Sequence, residues 1–137
     1  MQTPELPDAD GTAKVFSPDD IARVATTALV GIFKAWDLTD AASAQLAGVP
    51  PGTWAQMTAG SWPGCLSEDQ LKRAATLVVL YEELHANFGR SLADRWPTRP
   101  NTGPLFLGVR PADYMVAGGL PAIQKVLDYL LALHQGY

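Results

Sequence analysis

The side chains that could perform catalysis are few and lie far apart along the chain. His85 and His134 are widely separated, and the only cysteine, Cys65, has no neighbour in the sequence that would activate it as a nucleophile. Glu82 precedes His85 at helical spacing, which is more typical of a surface pair on one helix face than of a catalytic pair. The sequence also has no glycine-rich phosphate-binding loop. We therefore expect a protein that is not an enzyme, with no metal site and no cofactor of its own.

Composition and charge narrow the range of functions further. The chain has 137 residues, of which 47% are hydrophobic, so it can bury a substantial core. Its formal net charge of −4 argues against non-specific attraction to nucleic acid or to anionic membranes. The N-terminus lacks the basic and apolar regions of a signal peptide, and the apolar runs are too short to span a bilayer. We expect a cytoplasmic protein without membrane contact.

Hydrophobic periodicity predicts that α-helices position the remaining side chains. Residues 1–16 are polar and acidic, and we predict that they form a mobile N-terminal segment. Ser17 is followed by a proline and two acidic residues, which predicts a helix from there to about Trp36. Gly31 lies inside this helix at a cost in propensity, and we interpret it as a point of close approach. Because the helix is strongly apolar, homodimerisation through residues 21–33 is a further hypothesis.

Residues 38–60 have the pattern of two short helices joined by a tight turn. Thr39 would cap the first helix, and Gly48 would end it in the left-handed conformation. Trp54 and Met57 would give the second helix one buried face. This is a helix-turn-helix pattern, which is used for DNA binding but is equally compatible with a hairpin that only packs against its neighbours.

The residues of this region that could contact DNA are limited. Among the outward residues of the second helix, only Gln56 could make a bidentate contact to adenine. No lysine or arginine lies between residues 38 and 60, so phosphate neutralisation would depend on the following helix, and the isolated chain should bind DNA poorly. The candidate DNA-binding residues are Thr53, Gln56, Thr58, Lys72 and Arg73.

A long central helix is predicted to begin at Ser67, with Gln70 at the capping-box position. A wide apolar stripe follows, before Gly89 ends the helix. The stripe consists of Leu71, Ala74, Ala75, Val78, Val79, Leu80, Leu84 and Phe88. Residues 91–96 are predicted to continue as a helix until Pro97 and Pro100 stop it.

The C-terminal part of the chain, residues 96–137, has the most closely specified shape. Pro111 fits the first turn of one helix, Gly119 would end that helix, and Pro121 would open the next one. The predicted inner stripe of the last helix consists of Ile123, Val126, Leu127, Leu130 and Leu131. One locally basic region is formed by Arg90, Arg95, Arg99 and Arg110. Two interpretations are open: this region binds an acidic partner or an anionic group, or its members are ordinary surface arginines.

A set of residues in this part carries a resemblance to a known family. In order, they are Trp96, Pro100 and Asn101, then Leu105, Phe106 and Gly108, then Pro111 and Gly119, then Val126, Leu130 and Gly136. This pattern resembles the toxin-binding domain of the Xre/MbcA/ParS antitoxins. The resemblance covers roughly residues 37–137, and residues 38–60 are similar to the Xre-like helix-turn-helix of that family.

The resemblance implies a function as the antitoxin of a bacterial type II toxin–antitoxin pair. The partner would be a RES-type or related ADP-ribosyltransferase-like toxin that consumes NAD, and the antitoxin would cover the NAD cleft. The NAD would therefore belong to the cognate toxin, and the complex could repress its own operon. The residues expected to bind the toxin are Asn101, Phe106, Arg110, Tyr114, Met115, Gly119, Gln135, Gly136 and Tyr137.

We therefore expect an all-α protein made of two lobes. Residues 17–66 would form a helix-turn-helix-like lobe, and residues 67–137 would form the central helix and a C-terminal helical toxin-binding lobe. A homodimer and a hetero-oligomer with the toxin are expected, and operator DNA is a further candidate partner. The alternative hypothesis is a stand-alone helix-turn-helix transcriptional regulator whose C-terminal lobe dimerises or acts as a sensor.

Overall fold

The computed structural model describes residues 17–134, and all regular secondary structure in this range is helical. The predicted all-α fold is therefore confirmed. The helices are α1 (Pro18–Ala35), α2 (Asp40–Ala47), α3 (Pro51–Ala59), α4 (Glu68–Asn87), α5 (Arg90–Arg95), a 3-10 helix (Trp96–Thr98) and α6 (Pro111–His134). The predicted mobile segment 1–16 and three of the predicted toxin-binding residues, Gln135, Gly136 and Tyr137, lie outside the described residues.

Polar side chains begin α1 and α4 at the predicted residues. The Ser17 hydroxyl accepts a hydrogen bond from the Asp20 backbone N–H, while the Asp20 carboxylate accepts one from the Ser17 backbone N–H. Ser67 and Gln70 form the same reciprocal pair at the start of α4, with distances of 3.1 and 2.8 Å. Each pair satisfies backbone donors that have no partner inside the helix.

The short helices α2 and α3, which lie between α1 and α4 in the sequence, form a hairpin. The Thr39 hydroxyl caps α2 by accepting a hydrogen bond from the Ala42 N–H, and Gly48 ends the helix at φ 77°. Trp54 and Met57 of α3 are buried, as predicted. These two helices pack into the core of the chain, and their use in DNA binding stays a prediction.

The buried face of α4 differs from the predicted stripe. Ala75 and Val79 are exposed, while Leu77, which the predicted stripe omitted, is fully buried. The reason is that α1 and α6 cover only one side of α4, so its buried residues are spaced strictly at helical intervals. They are Ala74, Leu77, Leu80 and Leu84.

Helix α4 ends at Phe88, whose backbone is extended, and α5 and the 3-10 helix follow. The α-helix ends at Arg95, and Pro97 lies buried in the 3-10 helix, which ends before Pro100, so the helical segment stops at the two predicted prolines. A proline fits there because the first positions of a helix need no backbone N–H donor.

Helix α6 bends sharply at Gly119, where φ is 69° and ψ is −153°. A Cβ atom on the preceding residue, Gly118, would lie 2.5 Å from the Cβ of Ala122, so the close approach at the bend also requires glycine. The prediction that two helical segments meet at the glycine pair is confirmed. Of the predicted inner stripe, Leu127 and Leu131 are only half-buried. The fully buried members are Ile123, Val126 and Leu130.

By length and composition, α6 is also the one helix within residues 17–134 that could cross a membrane. This is weak evidence for a membrane span, because helices that pack in a protein core meet the same criterion. Here the buried side of α6 packs on α4, and the bend at Gly119 interrupts the segment.

The two predicted lobes share one hydrophobic core. Phe33, Trp36 and Leu46 from the N-terminal half belong to the same buried cluster as Met115 and Ile123 from the C-terminal half. Helix α4 contacts α1, α2, α5 and α6, and it therefore lies at the centre of this core.

The bend in α6 generates a stability prediction. Gly119→Ala should lower the free energy of unfolding by about 1–3 kcal/mol, because its backbone lies in a region that is almost exclusive to glycine. Gly52→Ala is the matched control: Gly52 is exposed within α3, nothing lies within 4 Å of a Cβ added there, and alanine should stabilise by up to about 1 kcal/mol. Urea unfolding of both variants measures the difference, and equal stabilities would contradict the prediction.

Candidate functional site

A closed loop, residues 101–109, connects the 3-10 helix to α6. The Asn101 N–H donates to the Val109 carbonyl at 3.3 Å, and the Gly108 N–H donates to the Asn101 carbonyl at 2.7 Å. The Asn101 side-chain oxygen also accepts a hydrogen bond from the Gly103 N–H at 2.8 Å. These bonds join the two ends of the loop, so its backbone is held in one conformation.

Phe106 fixes the loop to the body of the protein. Its side chain is only 2% exposed and packs edge-to-face against three aromatic rings. The ring centroids of Trp96, Tyr114 and Tyr129 lie 5.6, 5.5 and 5.4 Å away. Edge-to-face packing is a favoured arrangement for aromatic pairs, so the contacts add to the stabilisation from burial.

The next residue, Leu107, points the opposite way and is 80% exposed. Its φ of 52° is unusual for a bulky residue and costs free energy. The Leu107 N–H donates to the Gly103 carbonyl at 2.9 Å, which helps to hold this conformation. Val109, at the end of the loop, is 45% exposed. Loop 101–109 thus presents apolar side chains to solvent on a rigid backbone.

Toxin contact is expected in the stretch 100–108, which includes Leu107, but neither Leu107 nor Val109 is among the individual residues predicted. The signal for them was the run of apolar residues on both sides of Phe106, which a short loop cannot bury completely. Sequence could not show which of these residues faces the core, because a loop has no regular period.

Only some arginines of the predicted basic region near the loop carry an unpaired charge. The Arg110 guanidinium donates two hydrogen bonds to Asp113, at 2.8 and 2.9 Å. Hydrogen bonding to Arg110 lowers the pKa of Asp113 below its ordinary value, and the same contact raises the pKa of Arg110. Both side chains are about half exposed, so the pair adds little stability and could exchange for contacts to another molecule. Arg90 and Arg99 are exposed.

The structure separates the predicted toxin-binding residues into two groups. Phe106 and Met115 are buried, so the prediction that their side chains contact a partner is corrected: they support the surface from inside. The remaining described residues are at least partly exposed, namely Asn101, Arg110, Tyr114 and Gly119.

The predicted DNA-binding residues are also divided. Gln56 and Thr58 are exposed on α3, while Thr53 is half-buried. Arg73 is corrected to a structural role: its guanidinium donates to the Gln45 carbonyl at 3.0 Å and to the Asp69 carboxylate at 2.8 Å. It therefore caps the C-terminal end of α2, where unpaired carbonyls favour a cation. Lys72 is exposed and lies 3.6 Å from Glu68.

The histidines take part in contacts between helices. His85 Nε2 of α4 approaches Asp94 Oδ1 of α5 at 3.2 Å without the alignment of a good hydrogen bond. His134 Nδ1 lies 2.9 Å from the Glu83 carboxylate.

Cys65 is exposed, and its thiol donates to the Asp19 carboxylate at 3.2 Å. This hydrogen bond raises the pKa of the Cys65 thiol above its ordinary value, which disfavours the nucleophilic thiolate. Within residues 17–134, no group of three or more histidine, cysteine or acidic side chains could hold a metal ion.

Comparison with known proteins gives no family assignment. No protein-family model, curated protein or solved structure matches this chain. The resemblance to the antitoxins therefore stays a hypothesis, and the geometry of loop 101–109 is the main structural observation that bears on function.

The opposite orientations of two adjacent residues lead to a prediction. Phe106→Ala should lower the free energy of unfolding by about 3–5 kcal/mol, because it leaves a cavity among three aromatic rings. Leu107→Ala should change it by less than about 0.5 kcal/mol, because that side chain contacts solvent. Denaturant unfolding followed by tryptophan fluorescence measures both values. Similar losses for the two variants would show that Leu107 also supports the fold.

The role of Arg73 can be separated from that of its neighbour. Arg73→Ala should cost about 1–3 kcal/mol of stability, because it removes hydrogen bonds to the end of α2 and leaves Asp69 unpaired. Lys72→Ala should leave stability within about 0.5 kcal/mol. If Arg73 instead contacted DNA phosphates, its alanine variant would fold normally and lower the slope of log affinity against log salt by about 1. Thermal unfolding and a salt titration of DNA binding decide between these roles.

Proposed function

We propose that this chain is an antitoxin-like inhibitor that neutralises an NAD-consuming, RES-type or related toxin by covering its NAD cleft. The single observation that carries the proposal is Leu107, an apolar side chain held 80% exposed at positive φ on a closed loop. A leucine in a strained, solvent-exposed position does not stabilise the fold of its own chain. Strained residues of this kind concentrate at binding sites, where the strain is part of the function.

The surroundings of Leu107 suit a protein partner. Val109 extends the apolar surface, and the exposed Arg99 and Arg110 lie close to the two ends of the loop in the sequence. Apolar anchors inserted into a pocket, with arginines around them, are typical of the residues that contribute most to protein–protein binding. The rigid loop also lowers the entropy lost on association.

Inhibition by covering a cleft requires a rigid surface and no catalytic group. Loop 101–109 is held by backbone hydrogen bonds at its ends and by Phe106 at its centre, so it can be inserted without rearrangement. The NAD in this proposal is bound by the toxin, and the antitoxin excludes it by occupying the same space.

Autorepression of the operon is the second part of the proposal, and it requires more than the isolated chain. Arg73 is committed to α2, and only uncharged residues project from α3. Gln56 can still contact a base edge, while the phosphate contacts would come from the toxin in the complex. The competing hypothesis of a stand-alone regulator needs operator binding by the chain without any partner.

Co-expression with the protein encoded by the adjacent gene tests this proposal. The wild-type chain should restore growth and abolish NAD consumption. Leu107→Asn should bind the toxin at least about tenfold more weakly, equivalent to about 1.4 kcal/mol, because asparagine tolerates positive φ but removes the apolar anchor. Calorimetry with purified proteins measures the affinity, and NAD consumption measures neutralisation.

Val79→Asn is the matched control, since Val79 is also an exposed apolar residue but lies on α4. It should bind and neutralise like the wild type. Equal affinities of the Leu107 variant and the wild type would exclude the loop as the docking surface. Persistent growth arrest with the wild-type chain, together with operator binding by the chain alone at physiological salt, would favour the stand-alone regulator.

A further inference from the structure

A second apolar surface lies on α1 and α4, and it takes no part in the function proposed above. The two helices enclose an open groove of about 430 Å³ in which Asp20 is the one charged residue. Two large side chains of α1 are exposed at this groove, Ile21 at 42% and Val24 at 62%. Exposed apolar side chains that cluster beside a groove indicate an interaction surface.

Apolar residues along one side of α1, which are exposed or half-buried, follow the spacing of a coiled-coil seam. Ile21, Val24, Ala28, Gly31 and Ala35 are separated alternately by three and four residues. They flank the buried face of α1, which consists of Ala22, Leu29, Ile32 and Phe33. The seam has a size gradient, because its large side chains are at the N-terminal end and its small ones at the C-terminal end.

No contact among residues 17–134 explains Gly31. Nothing lies within 4 Å of a Cβ added at this position, and its φ is not in the left-handed region. A glycine in the middle of a helix lowers helix stability, so some contact outside the described chain would account for its presence. The missing side chain leaves a gap in the seam that a large residue can fill.

We propose that this seam binds a second copy of the chain, with the two α1 helices antiparallel. The two-fold axis then passes between Val24 and Ala28, so that each Val24 packs on Ala28 of the second copy. In the same register, each Ile21 fills the gap at Gly31 of the second copy. A parallel pairing would instead place the two Ile21 side chains together and leave a hole between the two glycines. The size gradient is self-complementary only in the antiparallel arrangement.

The charges beside the seam favour the same arrangement. Asp20, Thr27 and Lys34 recur every seven residues along one flank of α1. Residues at this position pair with each other across antiparallel helices, so Lys34 meets Asp20 of the second copy, and the two Thr27 residues meet at the axis. Lys34 is exposed and forms no ion pair with any residue between 17 and 134. In the dimer, Lys34 gains a contact to a carboxylate that already pairs with Arg23 within its own chain.

The mass of the full chain in solution tests this inference. Light scattering should give twice the 14.7 kDa of one chain, and Val24→Glu should give the mass of one chain. Val109→Glu, which charges an exposed valine in loop 101–109, should keep the dimer. A wild-type monomer at all concentrations, or a Val24 variant that stays dimeric, overturns the proposal. Circular dichroism establishes that each variant is folded.

The Gly31→Leu variant shows whether Gly31 lies in a dimer seam or faces only water, because the two cases predict different results. The substitution should raise the Tm of the single chain, since leucine is a strong helix former and meets no clash there. It should also weaken the dimer at least about tenfold, since the gap for Ile21 is filled. A variant with a higher Tm and an unchanged dimer would show that the glycine faces only water.

Cysteine cross-linking tests the register. In a Cys65→Ser background, a mixture of the Val24→Cys and Ala28→Cys proteins should form a mixed disulfide dimer at least about tenfold faster than either protein alone, because only residues close in space can be bridged. Faster self-cross-linking of either protein would indicate a parallel pair and exclude the antiparallel seam. Neither outcome depends on the toxin, so the inference can fail while the proposed inhibition stands, and the reverse also holds.

Discussion

The burial of the Phe106 ring is the contact on which the candidate binding surface depends. It joins a loop to the 3-10 helix through Trp96 and to α6 through Tyr114 and Tyr129. Because the ring cannot leave the core without opening a cavity, the neighbouring backbone is fixed as well. Leu107 is therefore kept in an exposed position that its own preferences would not select.

The rest of the fold provides the wall against which this loop packs. Helix α6 can follow α4 and still meet the loop because it bends at Gly119. Close to this bend, Arg73 ties α4 to the end of α2. The N-terminal and C-terminal halves thus form one core around α4, and the described chain behaves as a single framework for two separate surfaces.

Both surfaces are apolar and rigid, which suits binding. The loop presents one projecting side chain, whereas the α1 seam presents a graded row of residues along a helix. A projecting anchor fits a pocket on a different protein, and a self-complementary row fits a second copy of the same chain. Together they would display two loops on one dimer, so that a dimeric or closely spaced partner could be bound with higher avidity.

The sequence by itself determined the helices and their ends, because these depend on neighbouring residues. The capping box at Ser67 and the bend at Gly119 were predictable from local chemistry alone. The tertiary structure decided which side chains are buried: Leu77 in place of its neighbours on α4, and Phe106 in place of Leu107 in the loop. These choices depend on contacts between segments that are distant in sequence, where neither helical period nor residue type tells the inside from the outside. In the candidate site, the function of each residue depends on whether it faces the core or solvent. The sequence could therefore locate the loop but not the residue that the loop exposes.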